Sequence, residues 1–281
     1  MRPGTPADAG QSGRICYEAF RAIALHHNFP PDFPSPEVAA GLTGMLLSHP
    51  GFYSVVAEAD GMMLGTNFLD ERSKIAGVGP ITVDPEVQNA GVGRTLMLDV
   101  MGRARERGFP GIRLLQAAYH TRSLSLYAKL GFHSRESIAV IQGDPVVEEI
   151  PGYTVRTATA EDLVSCNALC VRVHGHDRAG ELEDAVRQGS ARVVEHDGRV
   201  SGYTTGIAFV AHAVGESNEE LKALIGSTDE YVDPGFLVPI RNSELFRWCL
   251  RRGLRVVQLM TLMTVGLYQE PAGAWMPSIL Y

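Results

Sequence analysis

The sequence predicts an α/β protein, an α+β mixed sheet present in two copies, because three landmarks recur in one order. "RPGTPAD" from Arg2 returns as "RTATAED" from Arg156, matching at Arg, Thr and Asp across 154 residues. "VVAEADGMMLG" from Val55 returns as "VVEHDGRVSG" from Val193; each has an extended run, an Asp-Gly turn and a second extended run, the mark of a hairpin. His120 stands eleven residues before Gly131, and Asn242 eleven before Gly253. The separation falls from 154 to 138 to 122, so the second copy has lost about 32 residues. A copy that trims its loops is expected to have trimmed its site.

Taken in order, the first copy should place helices within 8–49, a hairpin of strands at about 52–58 and 62–69, and a third strand at 75–83. A helix at 91–107, a strand at 111–117, a helix at 121–130 and closing strands from 132 follow. The second copy should repeat helix, helix, hairpin, strand, helix, strand, helix, strand, with "AGAWMPSILY" supplying a closing strand. "GYTV" opens the second copy with a strand for which the copy beginning at Arg2 has no room, so the sheet edge of the first copy should be short. Gly, Pro and acidic residues in "GDPVVEEIPGY" (143–153) mark a linker dividing 1–144 from 150–281.

Composition narrows the class. The 281 residues are 45% hydrophobic and 20% charged, with no low-complexity tract, signal-peptide core or membrane-length apolar run, so a cytoplasmic protein without a membrane partner is expected. Residues 1–144 carry 13 Lys+Arg against 14 Asp+Glu and the remainder 12 against 18, which argues against a nucleic-acid partner. Four cysteines (Cys16, Cys166, Cys170 and Cys249) are too few for a disulfide framework. Cys166, Cys170 and His174 fall on one helix face, where a metal site is conceivable and small apolar packing is favoured. His26 and His27 are expected at the surface, with no metal.

"DPEVQNAGVGRTLM" (84–97) carries the chemistry. The strand before it holds Gly77, Gly79 and Pro80, residues that mark a bulge or a splayed edge with amides left free. The glycines then open a helix whose Val92, Leu96, Val100 and Ala104 face the core. Its unpaired first-turn amides and its dipole favour an anion, and Gly91 and Gly93 permit close approach, so the loop suits a phosphate or pyrophosphate. A Walker loop fails because Arg94 and Thr95 follow Gly93, and a dinucleotide fingerprint fails because Leu96 stands at the third glycine. The plain alternative is a tight strand-to-helix turn.

Gln88-Asn89-Ala90-Gly91-Val92-Gly93 resembles the Gln/Arg-x-x-Gly-x-Gly/Ala pyrophosphate loop of the GNAT N-acetyltransferases, and "SLSLYAKLGF" from Ser123 resembles that superfamily's second signature. The likeness covers almost all of 1–144, and the repeat makes 150–281 a second, degenerate GNAT-like domain. The resemblance implies two tandem GNAT folds and acetyl-CoA as co-substrate, with a small-molecule or peptide amine as acceptor. Backbone groups of Ile81, Thr82 and Val83 would pair with the pantetheine arm. Amides from Asn89 through Ala90, Gly91, Val92, Gly93 and Arg94 to Thr95 would hold the pyrophosphate, with the Arg94 side chain as a further phosphate contact or a solvated surface group. His120 occupies a place where the superfamily often has Asn, on the pantetheine or acceptor side, with Ser123 beside it.

Transfer from a thioester to an amine needs a deprotonated nucleophile, a donor to the carbonyl oxygen and a proton for the leaving thiolate. A strand amide near Val83 suits the second task. By the resemblance Tyr127 suits the third; without it, Tyr127 reads as a core aromatic beside Leu124, Leu126 and Leu130. No acidic residue lies within 75–83, so the base is open among Asp70, Glu71, Asp84, His120 and the terminal carboxylate of Tyr281. The acceptor should sit between the first two helices and the hairpin, beside "ALHHNFPPDFPSPE" (24–37). In the second copy Glu216, Glu219 and Glu220 crowd the corresponding helix entrance, and Cys249 replaces Tyr127. That half is expected to be non-catalytic and to brace or extend the sheet of the first.

Overall fold

The computed structural model describes residues 1–232 and 234–280. Its first half runs β1 (Arg2–Pro3), α1 (Ala9–His26), α2 (Pro36–Ser48), β2 (Phe52–Ala59), β3 (Met62–Asp70), β4 (Ala76–Val78), β5 (Thr82–Val83), α3 (Val92–Glu106), β6 (Gly111–Ala117), α4 (Thr121–Lys129) and β7 (His133–Gln142). The second runs β8 (Thr154–Thr157), α5 (Leu163–His174), α6 (Ala179–Gln188), β9 (Arg192–His196), β10 (Arg199–Thr204), β11 (Ala213–Gly215), α7 (Asn218–Gly226), β12 (Phe236–Pro239), α8 (Ser243–Arg251), β13 (Arg255–Gly266) and β14 (Ala274–Met276). The element order is the one the repeat predicts. The first copy does have an opening strand, only two residues long, pairing Arg2 with Val56 and Pro3 with Val55.

Two strands of the second half, β12 and β13, join the sheet of the first. One sheet has the order β1-β2-β3-β4-β6-β13-β7-β12, with β5 paired to β3; the other has the order β14-β11-β10-β9-β8. β13 is antiparallel to both β6 and β7, and β12 closes the far edge against β7. The pleat then directs alternate residues to two cores. Leu114 and Met263 pack with α3 and α4 (Leu96, Val100, Tyr127), whereas Leu115 and Leu262 pack with Leu169 and Cys170 of α5. The second half therefore covers as well as extends the first sheet. Arg72 donates to Asp184 at 2.9 Å across the seam. No helix among the described residues is long and apolar enough to cross a membrane.

Candidate active site

The third predicted strand is broken where its sequence is weakest. Val78 faces Leu69 and Thr82 faces Thr66, so four residue steps oppose three and the extra residue forms a bulge at Gly79–Pro80–Ile81. Before the bulge, β4 runs parallel to β6 at Ala76 and Gly77; after it, β5 pairs with β3 alone. The two strands part, and a wedge opens between β5 and β6. The Asp84 amide donates to the Leu64 carbonyl at 2.9 Å, so the antiparallel alternation turns the Val83 amide and carbonyl away from β3, toward the wedge. Gly65 permits this close crossing, since a Cβ there would lie 2.3 Å from the Thr82 carbonyl oxygen.

Asp84 accepts from the Glu86 amide at 3.0 Å and starts the loop toward α3. Gln88 Nε2 then donates to the Val83 carbonyl at 3.1 Å, tying loop to strand. Asn89 and Gly91 have φ of 69° and 88°, and this left-handed pair aims successive amides outward at the head of α3. The amides of Asn89, Ala90, Gly91, Val92, Gly93 and Arg94 have no acceptor among the described residues. The Thr95 amide and hydroxyl both donate to the Gly91 carbonyl, at 3.1 and 3.2 Å, so Thr95 closes the turn. The Arg94 side chain is solvent-exposed.

Across the wedge, α4 carries the remaining groups. His120 caps it: Nδ1 accepts from the Ser123 amide at 3.2 Å, as Asn242 Oδ1 accepts from the Leu245 amide at 3.3 Å in the second copy. Burial, then Arg122 and His27, push the imidazole down to about 4, leaving it neutral and too weak a base to hold an ammonium proton. The Ser123 hydroxyl donates to the His120 carbonyl and to Gln116 Oε1, at 2.8 and 2.9 Å. Tyr127 lies 6% exposed among the residues of α3, β4 and β6, and burial raises its phenol well above the ordinary tyrosine range. It is therefore protonated at physiological pH, the state in which it can donate.

Sequence reasoning missed Arg122. It reaches from α4 across to the glycine loop, donating to Gln88 Oε1 at 2.6 Å and toward Asn89 Oδ1 at 3.4 Å, and sets a guanidinium beside the free amides. The available signal was an arginine in a first helical turn, where the dipole disfavours it. The acidic candidates for a base are engaged elsewhere. Asp70 pairs with Arg72 at 2.6 Å, Glu71 with Arg103 at 2.8 Å, and Asp84 caps its turn. The Tyr281 carboxylate lies outside the described residues. Pro30, Pro31 and Asp32 of the loop 24–37 line a cavity of about 370 Å³ together with residues of β7 and β13. His26 is exposed, and His27 packs against Tyr119 with centroids 5.4 Å apart.

The corresponding region of the second half is closed twice. The outer edge of β11 is paired with β14 from Ala213 to Gly215, so no wedge forms. At the head of α7, buried Glu220 accepts from the Ser217 amide and hydroxyl at 2.9 and 2.5 Å. Glu219 stands in the same first turn and Glu216 just before the Ser217 cap, as expected, but neither carboxylate caps the helix. Glu216 turns to Arg199 and Arg172 at 2.6 and 3.0 Å, and Glu219 to Lys222 at 2.5 Å, because each finds a cation nearer than the helix amides. Cys249 is fully buried, and Cys166, Cys170 and His174 are core residues.

A splayed strand edge leading to a helix entrance of free amides, present once in a duplicated mixed sheet, defines the acyl-CoA N-acyltransferase class of fold. Residues 19–132 match the acetyltransferase (GNAT) family model. A protein of this fold from Pyrococcus horikoshii, described as an acetyltransferase, superposes with a TM-score of 0.76 at 18% identity, over 98% of this chain and 92% of that one. A tandem GNAT protein from the clavulanic acid biosynthesis pathway, solved without acetyl-CoA, superposes with a TM-score of 0.55 at 17% identity, over 94% and 97%. A mycothiol acetyltransferase of Nocardia farcinica is 38% identical over 63 residues, 22% of this chain and 21% of that protein, so the match spans about a fifth of the relative's length. Residues 19–132 carry the GNAT acetyltransferase family match, and the chain as a whole has the tandem GNAT fold. Acetyl-CoA is the co-substrate of that family.

Proposed function

We propose that the protein transfers an acetyl group from acetyl-CoA directly to a primary amine, that residues 1–144 carry the reaction, and that 150–281 form a degenerate, non-catalytic domain. The observation that carries this reading is the run of free amides from Asn89 to Arg94 at the mouth of the wedge. Those amides and the positive end of α3 hold the diphosphate, with Arg94 and Arg122 adding charge. The pantetheine arm lies along Ile81, Thr82 and Val83 as an added strand. His120 and Ser123 shape the start of α4 on the other side.

In the transfer, the neutral amine attacks the thioester carbonyl, whose oxygen accepts from the Val83 amide as it becomes anionic. The carbon–sulfur bond breaks as the carbon–nitrogen bond forms. The departing thiolate takes the Tyr127 proton, and the amide nitrogen's surplus proton returns to the tyrosinate. Calorimetry with acetyl-CoA, CoA and ATP, followed by thiol release over a panel of amines, tests the reading. Preferential binding of the two CoA ligands together with amine-dependent thiol release supports it; tight CoA binding with no release from any amine makes the protein an acyl-CoA sensor instead.

A further inference from the structure

The 370 Å³ cavity is of small-ligand size and is walled by both halves: Pro31 and Asp32 from the loop after α1, Val140 and Gln142 from β7, Arg255 and Gln258 from β13. Asp32 is its distinctive group. Gln258 Nε2 donates to Asp32 Oδ1 at 3.2 Å, yet Asp32 has no ion-pair partner among the described residues. Several other low-exposure carboxylates have one: Glu181 has Arg178, Asp184 has Arg72 and Asp8 has Arg2, while buried Glu220 is held by Ser217 instead. Burial without a counter-charge pushes the Asp32 carboxyl up to about 6, a cost that a cationic ligand would remove.

Two more features bear on the occupant. The Tyr119 hydroxyl is buried without a partner among the described residues, and Tyr119 lies close enough for Asp32 to raise its phenol electrostatically. Tyr119 directly precedes His120 at the head of α4, which links the surroundings of Asp32 to the wedge along the chain. Arg255 also lines the cavity; a bulge between Val256 and Gln258 sets Arg255 and Gln258 against Gln142 and Val140, two strand steps or about 7 Å apart. One wall is therefore anionic and the other cationic.

We propose that this cavity holds the acetyl acceptor as a small primary amine that carries an anionic group, its ammonium paired with Asp32 and its anion turned toward Arg255. The assignment rests on the acetyltransferase reading above. It makes Asp32 and Arg255 specificity-determining residues and gives the second half a direct part in choosing the acceptor.

Three four-carbon probes of matched length test it in the presence of CoA: 4-aminobutyrate, butylamine and 1,4-diaminobutane. By calorimetry on the full chain, 4-aminobutyrate should bind about tenfold tighter than butylamine, and the diamine weakest. Asp32→Asn should weaken 4-aminobutyrate about tenfold, and Arg255→Gln should erase its advantage over butylamine. A diamine that binds tightest, no binding by any probe at millimolar concentration, or an Asp32→Asn affinity equal to that of the unaltered chain overturns the proposal. The probe order is read on the unaltered chain, so it decides even if a variant folds poorly. Thiol release with the same amines separates the two readings: binding in the stated order without release overturns acetyl transfer alone, and release indifferent to the far-end charge overturns the cavity assignment alone.

Discussion

Arg156 grips Asp162 with a forked pair of hydrogen bonds, 2.8 and 2.7 Å long, that reproduces the 2.9 and 2.7 Å fork of Arg2 on Asp8 in the first copy. In both, the aspartate also accepts from a threonine three residues earlier, Thr5 or Thr159, through its amide and hydroxyl. The arginine bonds lead in lowering both carboxyls to about 2. An acid whose folded value is depressed stabilises the fold above its unfolded value of ~3.9 and loses that contribution as pH falls toward 2. Denaturant unfolding should therefore show stability falling between about pH 4 and pH 2, by ~1 kcal/mol per pair after allowance for the half-exposed arginines. Arg2→Gln with Arg156→Gln should flatten that slope.

Tyr127→Phe removes a proton donor while preserving the ring that packs against Phe132, with centroids 6.1 Å apart. Turnover should fall by about 10²-fold, as for loss of a general acid, with CoA affinity nearly unchanged. Steady-state kinetics paired with calorimetry provide the check. An equal loss in both quantities would assign Tyr127 to binding rather than chemistry.

Gly93 offers a separation of folding from binding. A Cβ there would meet Val83 Cγ2 at 3.6 Å and Leu126 Cδ2 at 3.7 Å, ordinary contacts, so Gly93→Ala should fold at least as stably, with up to ~1 kcal/mol gained from helix propensity. The new methyl would stand between β5 and α4, on the path from the loop to the wedge. CoA affinity should drop about tenfold while the melting temperature holds or rises.

Arg122 is exposed, so its contribution should be electrostatic and sensitive to salt. Arg122→Gln should weaken CoA by about threefold in low salt, and the difference should shrink in 0.5 M salt, where the Debye length is only a few ångströms. Calorimetry at two ionic strengths reads it. A salt-independent loss would mean that Arg122 acts by holding Gln88 and Asn89 in place.

What was legible in the sequence is local. The Asp-Gly hairpins, the bulge at Gly79 and Pro80 and the glycine-opened helix each depend on residues a few positions apart, and each formed where its pattern lay. The insertion of β13 between β6 and β7 depends on which distant slot is open, and the buried run "RVVQLMTLMTVG" fits many slots equally well. Asp32 was passed over for the same reason. Its setting depends on Gln258, which reaches it from 226 residues away. Glu216 and Glu219 stand at the helix entrance as the sequence places them, but their role as caps was not legible, because composition does not show Arg172, Arg199 or Lys222 drawing their carboxylates off.

The claim beneath all of this is that one helix entrance is open to a diphosphate and its copy is sealed from within. A crystal structure of the full chain with coenzyme A tests it most directly. The diphosphate should lie against the amides of Asn89 to Arg94, with the head of α7 still closed by Glu220. Coenzyme A seated at Ser217–Glu219, or bound away from both entrances, would contradict it.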